Sequence, residues 1–316
     1  MTRRALLTGI TGQDGWYLTE LLLADGYDVF GVVRPGDPAP VPPGATAIEG
    51  DLTDASSLRE ALKLAGPQEV YNLAGISSVA QSWQQPVLTA DINGLGLLRL
   101  IEAVRDQSER SGDPIRIVQA SSAEIFGHAP APQTEQTPIA PATPYGAAKA
   151  LAQHLVAVYR AGGISISSAI LYNHESPRRP ATFVTRRITQ GVARIARGSA
   201  EPLRLGNLEA RRDWGFAGDY AEALRLIARH LRPDDFVVAT GVSHSVADFV
   251  QAAFRHVGID DWQDRIEVDR ALTRPADPGE QRGDASKARQ VLGWRPSVDF
   301  DQMVAAMVDA DLDELG

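Results

Sequence analysis

Apolar residues cluster along the first half of the chain in runs that are short for helices. "ALLTG" (5–9), "DVFGVV" (28–33), "TAIEG" (46–50), "EVYNLAG" (69–75), "IRIVQAS" (115–121) and "ISISSAILYN" (164–173) are such runs, and each reads as a buried strand. Several are apolar on both sides of the strand repeat, as strands covered on two faces must be. Between them lie amphipathic segments such as "GWYLTELLLADG" and "DASSLREALKLAG", with apolar positions at helical spacing. Strand–helix alternation of this kind predicts an α/β fold with a doubly wound parallel sheet. Past residue 174 the pattern loosens and becomes rich in Arg and Pro, and one later run, "DFVVATG" (235–241), is placed to rejoin the sheet. The stretch "RPGDPAPVPPG" (34–44) holds too much proline for a helix and is expected on the surface. Segments around 83–106 and 144–160 predict long amphipathic helices.

Composition narrows the partners. Of 316 residues, 44% are hydrophobic, which provides for a packed core. The formal net charge of −9 argues against nucleic acid as a partner. With no cysteine there is no disulfide, thiolate nucleophile or thiolate-bound metal. The six histidines lack the spacing of metal ligands, so no metal is expected. The apolar run that meets Gly9 is short for a secretory signal, and no stretch approaches the ~20 apolar residues of a membrane span. A cytoplasmic location and no membrane contact are expected.

"TGITGQDG" places Gly9, Gly12 and Gly15 directly after the first strand, opening a helix. Glycines there let the backbone approach a pyrophosphate, and the helix N-terminus supplies aligned N–H groups. Thr11, Gln13 and Asp14 belong to the same loop. After the second strand an acid would hold the ribose hydroxyls of NAD, but "GVVRPG" presents Arg34 instead. A cation suits a 2′-phosphate, so NADP is the favoured cofactor, with NAD left open. An ordinary surface role for Arg34 is equally open. Asp51 in "GDLTD" is placed to accept from an adenine amino group; either Asp51 or Asp54 is placed to cap the next helix. The organisation this implies is a Rossmann-type NAD(P)-binding domain, 1–173 plus roughly 209–241. A smaller mixed α/β substrate-binding lobe, 174–208 and 242–316, completes it.

"PYGAAKA" holds Tyr145 and Lys149, which share a face if the segment is helical. The lysine charge favours phenolate over a phenol whose ordinary pKa is about 10. Such a pair removes a hydroxyl proton while hydride leaves the same carbon. "QASSAE" ends the fifth strand, placing Ser122 to hydrogen-bond the reacting oxygen and leaving Glu124 just beyond. Glu124 is either a solvated loop acid or a base that takes a proton from substrate.

These motifs resemble the extended short-chain dehydrogenase/reductase superfamily, and within it the GDP-mannose 4,6-dehydratase family. The likeness is carried by "ALLTGITGQDGWYLTELLL", "EVYNLAG", "QASSAEIFG", "TPYGAAKA", "LYNHESPRR", "TFVTRRIT" and "RRDWGFAGDY", and it runs nearly the whole chain. It implies that Ser122, Glu124, Tyr145 and Lys149 are catalytic. The implied reaction is C4 oxidation, loss of water across C5 and C6, and hydride return to C6, with Glu124 as the eliminating base. It adds Leu52, Leu73 and Ala74 to the cofactor contacts, alongside Tyr145 and Lys149. For a nucleotide-sugar substrate it implies Ser77, Asn173, Val184, Arg187, Asn207, Arg212, Arg274 and Asp277. His174 is expected to be structural, and Arg178, Arg179 and Arg211 are left between phosphate binding and plain surface charge. The chain departs from the family pattern at Ile76, Arg187, Asp277 and the loop 34–44, where a longer basic loop helps build a tetramer in the family. In the superfamily helices such as those around 83–106 and 144–160 pair across a dimer interface, so the resemblance implies a homodimer, while the short loop 34–44 weighs against a tetramer. The alternative activity is an NAD(P)-dependent C4 epimerase or 4-ketoreductase acting on a nucleotide-linked hexose or heptose.

Overall fold

The computed structural model describes residues 2–272 and 279–316. In chain order its strands are β1 (Arg4–Thr8), β2 (Asp28–Val33), β3 (Thr46–Glu49), β4 (Glu69–Asn72), β5 (Arg116–Ser122), β6 (Ile166–Leu171) and β7 (Asn173–Glu175). β8 (Leu203–Leu205), β9 (Arg211–Phe216), β10 (Asp235–Val238), β11 (Ser243–Ser245), β12 (Ile266–Val268) and β13 (Glu280–Gln281) follow. The helices are α1 (Gln13–Ala24), α2 (Ala55–Ala65), α3 (Val79–Gln84), α4 (Pro86–Ala90), α5 (Gly96–Ser111) and α6 (Pro144–Ala161). They continue as α7 (Val184–Ala196), α8 (Ala217–Arg229), α9 (Val246–His256) and α10 (Phe300–Leu315).

Seven strands form one parallel sheet in the order β10-β6-β5-β4-β1-β2-β3. The expected α/β doubly wound sheet is thus present, and "DFVVATG" does rejoin it. Successive residues of β1 show why both faces must be apolar. Ala5 and Leu7 pack into one hydrophobic cluster with α1 and α8 residues, while Leu6 packs into another with α2 and α5 residues. Each of the three is fully buried. β1 lies between β4, which continues the sheet one way, and β2, which continues it the other. Ligands of doubly wound sheets sit at such a reversal, beyond the carboxyl ends of the strands.

Two expectations need correction. β3 is exposed at three of its four positions, because it is the last strand of the sheet and only one edge is paired. The long helix expected over 83–106 is broken. Gln85 is held at φ −132 ahead of Pro86, whose ring disfavours helical geometry in the residue before it. α4 then runs through a π-helical turn, Asp91–Leu95, into α5. The second expected helix, at 144–160, is present as α6.

A smaller sheet of order β11-β9-β13, with β7 also paired to β9, flanks the carboxyl end of the main one. Beneath it a third hydrophobic cluster joins α7, α9 and α10 through Ile188, Val192, Trp214, Phe249, Phe254, Met303 and Met307. Trp294 instead belongs to the main-sheet cluster and its indole donates to the Asp219 carbonyl at 2.8 Å. Among the described residues no helix is long and apolar enough to cross a membrane.

Candidate active site

β1 ends at Thr8 and the chain turns at Gly9, with φ +71. A Cβ on Gly9 would lie 2.7 Å from the Ala74 amide nitrogen. A Cβ on Gly15 would collide with the Gly9 carbonyl and lie 2.6 Å from the Ile10 Cα. Both positions therefore exclude a side chain for reasons of space. α1 starts at Gln13 with Gly12 as an N-cap that has no side chain to satisfy the first N–H groups. These open onto a cavity of about 360 Å³. Gly9, Thr11, Gly12, Gln13, Asp14, Gly15, Arg34, Asp51, Leu52, Leu73 and Ala74 all line it. Asp54 is the cap of α2, accepting from Ser56 N–H at 2.9 Å, which leaves Asp51 on the cavity wall. A backbone cradle at a helix N-terminus, with no room for side chains, fits the pyrophosphate of a nicotinamide dinucleotide.

A second cavity of about 150 Å³ adjoins the first, and Asp14, Leu73, Gly75, Ile76, Ser77, Arg179 and Phe183 line both. Its wall includes Ser122, Glu124, Tyr145, Lys149, Asn173, Arg212 and Gln281. β5 ends at Ser122, whose hydroxyl oxygen accepts from Glu124 N–H at 3.2 Å and caps a short 3₁₀ turn. That cap sets Glu124 on the cavity wall, where Gln281 Nε2 donates to its carboxylate at 3.3 Å. Thr143 caps α6 by accepting from Gly146 N–H at 3.0 Å, and Pro144 takes the first helical position. Tyr145 and Lys149 follow one turn apart, both buried.

The electrostatics of this pair differ from the sequence-based expectation. Lys149 Nζ donates to the Ala120 carbonyl at 2.8 Å and lies 5.9 Å from the Tyr145 ring centre. Burial pushes the Tyr145 phenol up to about 12; a hydrogen bond with Ser122 opposes it and the Glu124 charge adds to it. Burial also pushes the Lys149 ammonium down to about 8, against the attraction of Asp14. Among the protein's own groups, desolvation outweighs any pull of the lysine on the phenol.

Asp14 and His174 tie the cofactor loop to β7. His174 Nε2 lies 3.0 Å from both Asp14 oxygens, and Nδ1 lies 2.7 Å from the Tyr172 carbonyl. Burial opposes both charges, yet the pair wins: the Asp14 carboxyl is held below its ordinary value and the His174 imidazole above it. The ring also stacks on Tyr220 at 4.6 Å, consistent with a bracing role for His174. Gln13 adds a second tie, accepting from Ser176 Oγ at 2.7 Å and donating to the His174 carbonyl at 3.1 Å.

The two neighbouring arginines separate. Arg178 lies 3.8 Å over the Trp16 ring, whereas Arg179 lines both cavities, 3.0 Å from the Glu175 carboxylate and 3.6 Å over Phe183. Arg211 pairs with Asp248 at 3.7 Å and donates to the Ser243 carbonyl at 2.7 Å. Sequence reasoning missed Gln281 and Asp37, a further residue of the dinucleotide cavity. Gln281 reaches the site only through the pairing of β13 with β9, and Asp37 only through the turn after β2.

Of the residues expected at the substrate, Ser77, Asn173 and Arg212 stand on the cavity walls, Arg212 nearly fully buried with Nη1 donating to the Arg211 carbonyl at 2.8 Å. Among the described residues, Val184, Arg187 and Asn207 are not on either wall. Val184 packs against the third cluster, Arg187 continues α7 from Phe183, and Asn207 is exposed, accepting from Glu209 N–H at 3.0 Å. Arg274 and Asp277 lie outside the described residues.

This arrangement has counterparts in known proteins. Residues 6–307 match the family model described as GDP-mannose 4,6 dehydratase. The chain is 48% identical to GDP-mannose 4,6 dehydratase 1 of Arabidopsis thaliana, with 98% of this chain and 90% of that protein covered. It is 41% identical to the GDP-mannose 4,6 dehydratase of Homo sapiens, with 98% and 91% covered. The structure superposes with a TM-score of 0.85 on a UDP-glucose 4-epimerase of Thermus thermophilus in complex with NAD, at 29% identity and 98% coverage of both chains. An α/β dinucleotide scaffold of this kind serves several chemistries, but a family model across most of the length and relatives at these identities across nearly all of it are narrower: the chain belongs to the GDP-mannose 4,6-dehydratase family.

Proposed function

We propose that the protein is a nicotinamide-dependent lyase that converts GDP-mannose to its 4-keto-6-deoxy derivative. The observation that carries the reading is Glu124: its carboxylate shares a cavity wall with Ser122, Tyr145 and Lys149, next to a dinucleotide cradle. The relatives' names and their coverage support the substrate. A bound nicotinamide dinucleotide supplies the hydride acceptor for C4 and later the donor for C6; the backbone around Gly9, Gly12 and Gly15 would hold it, with Asp51 and Arg34 at its adenosine end.

The chain's own residues handle the protons. Ser122 hydrogen-bonds the C4 oxygen, and Tyr145 takes the O4 proton as C4 becomes a ketone. Lys149, one helical turn from Tyr145, supplies positive charge that favours the phenolate able to take this proton, which becomes neutral as it does so. The ketone acidifies the hydrogen on C5. Glu124 takes that proton and gives one to the C6 hydroxyl, which leaves as water. Gln281, donating to Glu124, orients the carboxylate. Asn173, Arg179 and Arg212 border the same cavity and offer donors to the nucleotide-sugar. The overall change is loss of one water, with C4 oxidised and C6 reduced.

Incubation with GDP-mannose and catalytic NADP⁺ should give a 4-keto-6-deoxy sugar nucleotide. No product from any GDP-hexose at full cofactor occupancy would overturn the reading. The likeness to a solved C4 epimerase favours one second reading, epimerisation at C4. Solvent deuterium separates them, since elimination carries label into C5 and simple inversion at C4 does not.

The same proposal extends to organisation. Residues 1–173 with roughly 209–241 would form the dinucleotide-binding domain, and 174–208 with 242–316 the sugar-nucleotide lobe. The seven-stranded sheet and the separate third cluster support this division. A homodimer would pair copies through α4 and α6, where Val87, Leu88, Leu151 and Val158 stand exposed; sedimentation as a monomer at micromolar concentration would count against it. A cytoplasmic location fits the cysteine-free composition.

A further inference from the structure

The chain leaves β2 through Arg34-Pro35-Gly36-Asp37. Proline suits the second position of a type II turn, and Gly36, at φ +74, supplies the third. The Asp37 N–H closes the turn on the Arg34 carbonyl at 3.0 Å. This folds the acid back against the arginine that precedes it by three. Asp37 Oδ2 lies 3.3 Å from Arg34 Nη2, and Oδ1 accepts from Ala39 N–H at 3.0 Å. Both side chains line the dinucleotide cavity at the carboxyl end of β2. The acid is the better anchored of the two: its side chain is 18% exposed, that of Arg34 72%.

At this end of a second strand, an acid accepts from the ribose hydroxyls of NAD and a cation holds the 2′-phosphate of NADP. This chain presents both, already paired. The hydrogen bond from Ala39 N–H, ahead of the one from Arg34, holds the Asp37 carboxyl below its ordinary value, so it is charged at neutral pH. A 2′-phosphate reaching for Arg34 must displace this carboxylate and meets its negative charge. A free 2′-hydroxyl does neither, and donates to it.

We propose that Asp37 is a specificity-determining residue of the dinucleotide site, discriminating against a 2′-phosphate so that the protein binds NAD⁺ at least as tightly as NADP⁺. The inference rests on the nicotinamide-dinucleotide reading of this cavity and is independent of the sugar. Its test is calorimetric titration of nucleotide-stripped protein with NAD⁺ and with NADP⁺, before and after Asp37→Asn. Asparagine keeps an acceptor for Ala39 N–H and removes only the charge. The wild-type Kd for NAD⁺ should equal or fall below that for NADP⁺. The substitution should tighten NADP⁺ by roughly tenfold, the scale of one unit charge at several ångströms in a half-exposed site, and leave NAD⁺ equal or weaker. A wild-type preference for NADP⁺, or an unchanged ratio of the two constants in the variant, would overturn it. Failure to bind either dinucleotide would sink both readings. Tight binding without any sugar product would sink the dehydratase reading alone.

Discussion

The two adjoining cavities are made by opposite means. The dinucleotide cavity is largely backbone: three glycines, a bare helix N-terminus and the turns that close β2 and β4. The catalytic cavity is built from side chains brought from far apart. Ser122 and Glu124 follow β5, Tyr145 and Lys149 sit on α6, Arg212 on β9 and Gln281 on β13. The first works through missing Cβ atoms and aligned dipoles. The second works by taking ionisable groups out of water, which moves Tyr145 up and Lys149 down from their ordinary values. Changes to the first should therefore act on binding and stability. Changes to the second should act on rate, and some should even stabilise the fold.

The largest effect should come from Glu124→Gln. The Ser122 cap uses the backbone N–H of residue 124 and survives the substitution, so the turn keeps its geometry. Glutamine cannot accept the C5 proton, and the rate of elimination should fall by roughly 10³-fold, within the range for a lost general base. Oxidation at C4 should persist, visible as reduced nicotinamide in ultraviolet absorbance with no deuterium entering C5. Elimination at the wild-type rate would break the contrast, because the acid would then be an ordinary loop residue.

The backbone side is sharpened by Gly15→Ala. A single methyl there meets the Gly9 carbonyl and the Ile10 backbone, neither of which is the end of a flexible side chain. Forced overpacking of this kind costs about 2–3 kcal/mol. Urea unfolding should show that loss, and the dinucleotide Kd should rise at least as steeply because the cradle itself must shift. A variant as stable as wild type, with unchanged affinity, would show the loop to be softer than its contacts indicate.

The same contrast explains what could be read from residue order. "TGITGQDG" is contiguous and its spacing carries its geometry, so the turn after β1 and its place on the cavity wall were legible. "QASSAE" and "PYGAAK" were legible because a strand end and one helical turn are local objects. Gln281 was not, since nothing near it announces that β13 pairs with β9 and sets it beside Arg212. Three-residue strands such as β7 and β11 have no period to detect, so the second sheet was hidden. Arg178 and Arg179 are adjacent in sequence and part company only because one lies over Trp16 and the other over Phe183. Asp37 was not legible because it lies past the strand end, and only the Pro-Gly turn folds it back against Arg34.

The smallest effect on stability is the most discriminating, because its sign is opposite to the glycine case. Lys149 is buried, and its folded-state value is lowered from 10.5 to about 8. A depression of that size corresponds to roughly 3 kcal/mol of destabilisation carried by the charged form. The sign follows from proton counting. Between about pH 8 and 10.5 the unfolded chain binds the proton that the folded chain has lost, so stability rises with pH across that window. Below pH 8 the whole destabilisation is present. Lys149→Met replaces the ammonium by an apolar chain of similar length. It forfeits the hydrogen bond to the Ala120 carbonyl, worth about 1 kcal/mol. The variant should therefore be more stable than wild type by about 2 kcal/mol at about pH 7, and that gain should shrink as the pH approaches about 10. Its turnover should collapse throughout. Denaturant unfolding of both proteins at the two pH values measures this directly. A variant less stable than wild type at neutral pH would mean that Lys149 holds the fold together, and the division between a structural cradle and a strained catalytic cavity would fail at its centre.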